Sequence, residues 1–169
     1  MLYNIKHDKD YKRIVKDIFR NVEFKKLYNI EHHGISRMEH SIKISYYSYR
    51  IAKKFGMDYV SVARGGLLHD FFLDGDERTK SKKFLDTFTH PKKALNTSID
   101  NFKCNDIEKN IIVSHMFPTY LSIPKYKESI LVNFVDKIIG SIELIRGFAC
   151  KFNYKFNYTY VLMLLLMTR

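Results

Sequence analysis

The segment GGLLHDFF, residues 65–72, sets a histidine beside an aspartate inside an otherwise apolar run. A core helix would take leucine or alanine at these two positions. An ionised carboxylate buried without a partner costs several kcal/mol, so His69 and Asp70 imply a compensating group nearby. The flanking Leu67, Leu68, Phe71 and Phe72 read as packing that would hold both side chains rigidly, and Gly65-Gly66 as a place where another helix approaches closely.

Around this segment the chain is dominated by helical periodicity. In residues 8–29 the apolar positions Tyr11, Ile14, Val15, Ile18, Phe19, Val22 and Leu27 recur at three- and four-residue spacings, which predicts one amphipathic helix. Ser36 and Glu39 have the spacing of a capping box and open a second helix that stops at Gly56. Asp58 can cap the helix leading to His69, and the DGD of residues 74–76 ends it. The polar stretch ERTKSKKFLDTFT reads as a loop, after which His90-Pro91 starts a helix with proline at its preferred first position. Asn105 and Asp106 can cap the helix carrying IIVSHMF, which Pro118 terminates, and the longest helix is expected from about Lys127 to Arg146. No stretch alternates as a strand does. The expectation is an all-α bundle of about six helices, formed by residues 1–150 as one domain, with residues 151–169 an atypical aromatic and apolar tail of unknown role.

Composition narrows the partners. A chain of 169 residues, 46% hydrophobic and 15% aromatic, can bury a core and is not disordered by composition. The net charge of +11 points to an anionic partner, yet the lysines are scattered and no recognition helix accompanies them. A small anionic substrate is therefore expected rather than specific nucleic-acid recognition. Cys104 and Cys150 show no CxxC spacing, and the opening MLYNIKHDKDYKR does not read as a signal peptide, so a reducing cytoplasm is expected. The uncharged run near the end, FNYTYVLMLLLM, is short of the ~20 residues that a membrane-spanning helix needs.

Histidines and aspartates inside or at the start of the expected helices form a series: His40, His69-Asp70, His90, His115 and Asp136. Successive members stand about 20 to 30 residues apart, one helix and loop apiece, and such positions can converge between the helices of a bundle. Neutral imidazole and carboxylate suit divalent iron, manganese, zinc, cobalt or nickel, and no cysteine biases the set towards thiolate sites. A single histidine such as His115 is ordinarily a satisfied core residue, whereas Asp136, within ILVNFVDKIIG, needs a partner for its charge. His7 and the pair His32-His33 read as solvated. Asp74, four residues after Asp70, either ends a helix or touches the site.

The order H…HD…H…H…D resembles that of the HD-domain superfamily of metal-dependent phosphohydrolases, in the subset with two further histidines before the last aspartate. The similarity covers about residues 36–140, and the wording RMEHS, ARGGLLHDFFL, HPKKAL, IIVSHMFP and VDKI shares it. The resemblance implies two metal ions, with His40, His69, Asp70 and Asp136 on the first, Asp70 bridging, and His90 and His115 completing the second. It implies hydrolysis of a phosphate ester or anhydride, such as that of a nucleotide or dinucleotide, with Asp70 catalytic. Arg37, one turn before His40, is the foremost expected phosphate contact and catalytic cation. Lys137 shares both roles, Lys93 is a further phosphate contact, and Arg64 ranks behind them. Two alternatives stand beside this reading: an HD-type di-iron oxygenase, and a non-catalytic module that binds metal or nucleotide.

Overall fold

Helix boundaries in this protein follow from side chains that take over backbone hydrogen bonds. The computed structural model describes residues 5, 7–32, 35–73 and 80–167, with side-chain surroundings for all of these except 31–32, 80–88 and 148–167. Asp74 and His33 lie outside the described residues. Asp8 accepts the Tyr11 N–H at 3.0 Å and starts helix α1, Lys9–Ile14. Helix α2, Lys16–Arg20, and helix α3, Val22–Lys25, follow, and a 3₁₀ turn spans Lys26–Asn29. A two-residue antiparallel pair, β1 (Glu31–His32) with β2 (Ile35–Ser36), leads into helix α4, Arg37–Lys54. There Ser36 accepts the Glu39 N–H at 3.1 Å, and Gly56, at φ +63°, closes the far end in the left-handed region that glycine tolerates.

Asp58 caps helix α5, Tyr59–Leu68. Helix α6 runs Lys80–Asn101, helix α7 runs Asp106–Ser114 behind a full capping box of Asn105 with Glu108, and helix α8 runs Lys127–Met167. The fold is all-α, as the periodicity predicts. Among the described residues no helix is long and apolar enough to cross a membrane.

Besides the earlier ends of α5 at Leu68 and α7 at Ser114, three expected boundaries differ. The single helix expected over residues 8–29 is broken at Asn21, whose backbone is extended (ψ 130°) and whose side chain instead accepts the Phe24 N–H at 2.9 Å. A short amide side chain competes with the helix ladder in this way and turns a continuous pattern into a cap. Helix α6 begins at Lys80, not at His90, so the stretch expected as a loop is helical and Pro91 lies inside the helix. Pro91 has no N–H to return to the Thr87 carbonyl, and the helix continues past that missing rung. Phe84, Leu85 and Phe88 carry a three- and four-residue spacing that the surrounding lysines obscure in the sequence. Finally, α8 does not stop near Arg146 but continues through Gly147 to Met167. Glycine in a helix interior costs only about 1 kcal/mol, and no proline follows to end it.

Two apolar clusters hold these elements. Tyr11, Ile18, Phe24, Leu27, Tyr49, Leu67, Leu68 and Phe71 join the N-terminal helices to α4 and α5, while Ile44, Val62, Ile111 and Val132 join α4, α5, α7 and α8. Helix α5 is the centre of both, and its glycines permit this. A Cβ on Gly66 would stand 3.1 Å from the Ser45 Cα of α4, and one on Gly65 would stand 2.9 Å from Ile111 Cδ1 of α7. Arg64 pins the outer side of the bundle, donating to Asp17 at 2.7 Å and to Glu108 at 3.0 Å.

The glycine contacts give a paired prediction. Gly66→Ala pushes a methyl group into the α4 backbone and should destabilise the fold by about 1–3 kcal/mol. Gly140→Ala in α8, where an added Cβ meets nothing within 4 Å, should be neutral or stabilise by up to about 1 kcal/mol. Denaturant or thermal unfolding of the two variants beside the parent protein measures both.

Candidate metal centre

Each side chain of the series is delivered by a different part of the bundle. His40 lies in the first turn of α4, which Ser36 fixes in register. His69 is the residue at which α5 ends, with Asp70 immediately beyond it, so the pair sits at a helix terminus rather than within the helix. His115 ends α7 in the same way. His90 comes from α6 and Asp136 from α8. His40, His69, Asp70 and His115 are almost fully buried, and Asp136 and His90 are nearly so.

These six residues form two adjoining triads. His40, His69 and Asp136 make one, and Asp70, His90 and His115 the other; within each, the candidate ligand atoms all lie within 4.8 Å of one another. Asp136 Oδ1 is 3.2 Å from His40 Nε2 and 3.8 Å from His69 Nε2. Asp70 Oδ1 is 3.5 Å from His115 Nε2 and 3.6 Å from His90 Nε2. The triads meet at the adjacent pair, where His69 Nε2 and Asp70 Oδ2 are 3.9 Å apart.

The outer ring nitrogens are committed elsewhere. His69 Nδ1 is 2.8 Å from the Gly66 carbonyl, and His115 Nδ1 is 2.7 Å from the Ile112 carbonyl, each three residues back along its own helix. A ring N–H donated to a carbonyl leaves Nε2 as a bare lone pair directed into the centre, the tautomer that a metal ligand needs. His69 Nε2 is buried and has no hydrogen-bond partner among the described residues. His90 Nε2 and His115 Nε2 approach to 3.0 Å, a separation that requires a proton or another cation between two lone pairs. The donor set is nitrogen and oxygen throughout, with an orphaned buried nitrogen in its middle. It fits one or two divalent ions of the imidazole- and carboxylate-binding kind.

Charge is arranged to match. Burial works against a proton on His40, but hydrogen bonds to Asp136 and Glu143 outweigh it and raise its pKa to about 9. His115 is pushed down to about 4 by burial and then by the neighbouring His69, so it is neutral at pH 7. Burial would raise the Asp136 pKa, but the His40 hydrogen bond and the surrounding imidazoles hold it below the ordinary aspartate value.

Three contacts around the centre are absent from the sequence reading. Glu143 is buried, 2.7 Å from His40 Nδ1, and accepts from Lys43 at 3.0 Å. It stands seven residues after Asp136, two helical turns along the same face, and that spacing is the signal that could have found it. Asn133, one turn before Asp136, donates to the carbonyls of Ser114, His115 and Phe117 and so clamps the end of α7 to α8. Phe72 packs against both the Arg37 guanidinium, 3.9 Å from its ring centre, and the His90 ring, stacked at 5.4 Å.

The expected phosphate contacts are placed as follows. Arg37 is buried, and its Nη1 donates to the Phe72 carbonyl at 2.8 Å. Lys137 is exposed beside Asp136 and donates to the Phe117 carbonyl and to Asn133 Oδ1. Lys93 is exposed on α6. Arg64 faces Asp17 and Glu108, away from the two triads. Fold and site together define an all-α bundle with a buried histidine–aspartate centre that could hold metal. Compared with protein-family models, curated proteins and solved structures, the chain matches none.

Two predictions follow from the electrostatics. Glu143→Gln removes the carboxylate that orients His40 and should weaken divalent-metal affinity about 10- to 100-fold, read by titration calorimetry against a competing chelator. In metal-free protein, the stability due to the raised His40 pKa is fully present below about pH 6.5 and is lost as pH rises through about 9. The depressed His115 pKa acts oppositely, its contribution being present above about 6.5 and lost as pH falls through about 4. Thermal unfolding of chelator-treated protein should therefore show a maximum near neutral pH. Added divalent metal should flatten the alkaline side, where it replaces the His40 proton.

Proposed function

We propose that the chain is a metal-dependent phosphohydrolase of the HD-domain kind, hydrolysing a phosphate ester or anhydride of a small phosphorylated compound such as a nucleotide or dinucleotide. The observation that carries this reading is the meeting of two ligand triads at the adjacent pair His69 and Asp70. The six residues are those of the H…HD…H…H…D order, and their agreement in space with a dinuclear arrangement supports it.

On this reading His40, His69 and Asp136 would hold one ion and His90 and His115 the other, with Asp70 standing between them. When bound, a pair of divalent ions supplies Lewis acidity towards a phosphoryl oxygen and lowers the pKa of water towards ~7. The chain's own work is preparation. The Gly66 and Ile112 carbonyls fix the tautomers of His69 and His115, so both lone pairs are aimed before any ligand arrives. Glu143 and Asp136 hold the His40 proton, whose place a bound metal would take. Leu67, Leu68, Phe71 and Phe72 are buried around the pair and keep bulk water away from both ligands. Lys137 and Lys93 supply exposed positive charge for substrate phosphates, and the net charge of +11 favours approach of an anion.

Metal analysis of the purified protein, joined to a panel of phosphomonoesters, phosphodiesters, nucleotides and dinucleoside polyphosphates, tests the proposal. Native protein should carry divalent metal and hydrolyse at least one class. His69→Ala and Asp70→Ala should each lose metal and reduce turnover by more than about 100-fold, beyond the effect of losing an outer partner. Unchanged metal content and turnover in both variants would overturn the assignment.

A further inference from the structure

Helix α8 has two faces. One carries Val132, Val135, Asp136 and Glu143 into the bundle, all but Asp136 buried. The other presents Ile130, Phe134, Ile138, Ile142 and Ile145 to solvent, with exposures from 43% at Ile138 to 66% at Ile145. These residues follow one another at three- and four-residue steps and form a continuous stripe. Half-exposed side chains of this size contribute about 100 Å² each, so the stripe and the adjoining Leu144 amount to on the order of 600 Å² of apolar surface. That is the upper end of what monomeric proteins leave open, and patches of this size mark interaction sites.

We infer that this stripe is the interface of a homodimer, in which α8 of one copy packs antiparallel against α8 of a second copy across a two-fold axis near Ser141. Three observations commit it to a second copy. Helix α8 is unbroken over 41 residues, about 60 Å at ~1.5 Å per residue, so residues 148–167 run on from the stripe instead of folding back over it. The stripe's area approaches the ~800 Å² per partner of a standard interface, and in an antiparallel pair each helix beyond Gly147 adds cover over the Ile130–Phe134 end of the other. Ser141 lies in the middle of the stripe as its small, exposed member, which lets two helix backbones come close where they cross. The same stripe on both copies satisfies a closed two-fold contact without a second kind of surface. The opposing term is the charge of +11 on each copy.

Sedimentation equilibrium on the full chain tests this independently of any activity. A dimer is expected at micromolar concentration. Its fraction should hold or rise between about 0.1 and about 0.5 M salt, because salt screens like-charge repulsion and leaves apolar contact intact. Phe134→Glu combined with Ile145→Glu, both on the exposed face, should give a monomer with unchanged helicity and unchanged metal content. Ser141→Cys, in a background with Cys104→Ser and Cys150→Ser, should cross-link to its counterpart through a short bis-maleimide, whereas Tyr28→Cys, exposed in the 3₁₀ turn Lys26–Asn29, should not. A native chain that stays monomeric at about 100 μM would overturn the inference. So would a dimer that forms without the 141–141 cross-link. Binding of monomeric protein to phosphatidylserine vesicles, lost in the double variant, would assign the stripe to a lipid surface and equally overturn it.

Discussion

Asp70 and Asp136 are two carboxylates placed where water hardly reaches, and the rest of the structure is organised around compensating them. Each faces imidazole nitrogens at 3.2–3.8 Å. Five helices must arrive in fixed register for this to occur, so the centre constrains the bundle as much as the bundle constrains the centre. The same residue type is tuned in opposite directions within it. His40, between two carboxylates, keeps its proton up to about pH 9, while His115, buried beside other imidazoles, gives up its proton near 4. Environment alone separates them, and it leaves one imidazole charged to balance Asp136 and another neutral with its lone pair exposed to the centre.

Helix ends do the positioning. His69 and His115 each terminate a helix and each donate from Nδ1 to a carbonyl three residues back. The last carbonyls of a helix have no intrahelical partner, so this hydrogen bond satisfies the helix and fixes the ring at once. The end of α7 is further held by Asn133, which gathers three of its carbonyls onto α8. Helix α8 thus supplies Asn133, Asp136 and Glu143 from one buried face. A displacement of that helix would disturb the second triad through Asn133 and the first through Asp136 and Glu143.

Much of this is legible from residue types and spacing. Capping at Ser36, Asp58 and Asn105 is a local matter of one side chain and one N–H, and it appears in the structure where the sequence places it. The six centre residues are legible because they are histidines and aspartates inside or at the start of successive helices, and His69, Asp70 and Asp136 interrupt apolar runs. Asn21 is not, since its pattern reads equally as helix surface or cap, and only the extended backbone decides. The start of α6 is hidden by lysines around Phe84 and by a proline that usually marks a first turn. Glu143 escapes notice because glutamate on a helix is ordinarily solvated. Its burial follows from α8 packing on α4, a tertiary fact with no local trace.

Arg37 shows how packing surrounds a residue singled out by spacing alone. It lies one turn before His40, as a phosphate contact would, yet its guanidinium is spread over Phe72 and donates to the Phe72 carbonyl. Phe72 in turn stacks on His90. Burial lowers the Arg37 pKa, but only from a value far above neutrality, and Asp70 opposes the change, so the group stays charged. A buried cation fixed on an aromatic ring is strongly held before any substrate enters. Arg37 is thus tied to Asp70 by charge and to the His90 ring through Phe72, while Lys93 and Lys137 are exposed. The arginine that sequence spacing offers as a phosphate contact is itself braced, by the Phe72 ring and the Phe72 carbonyl together.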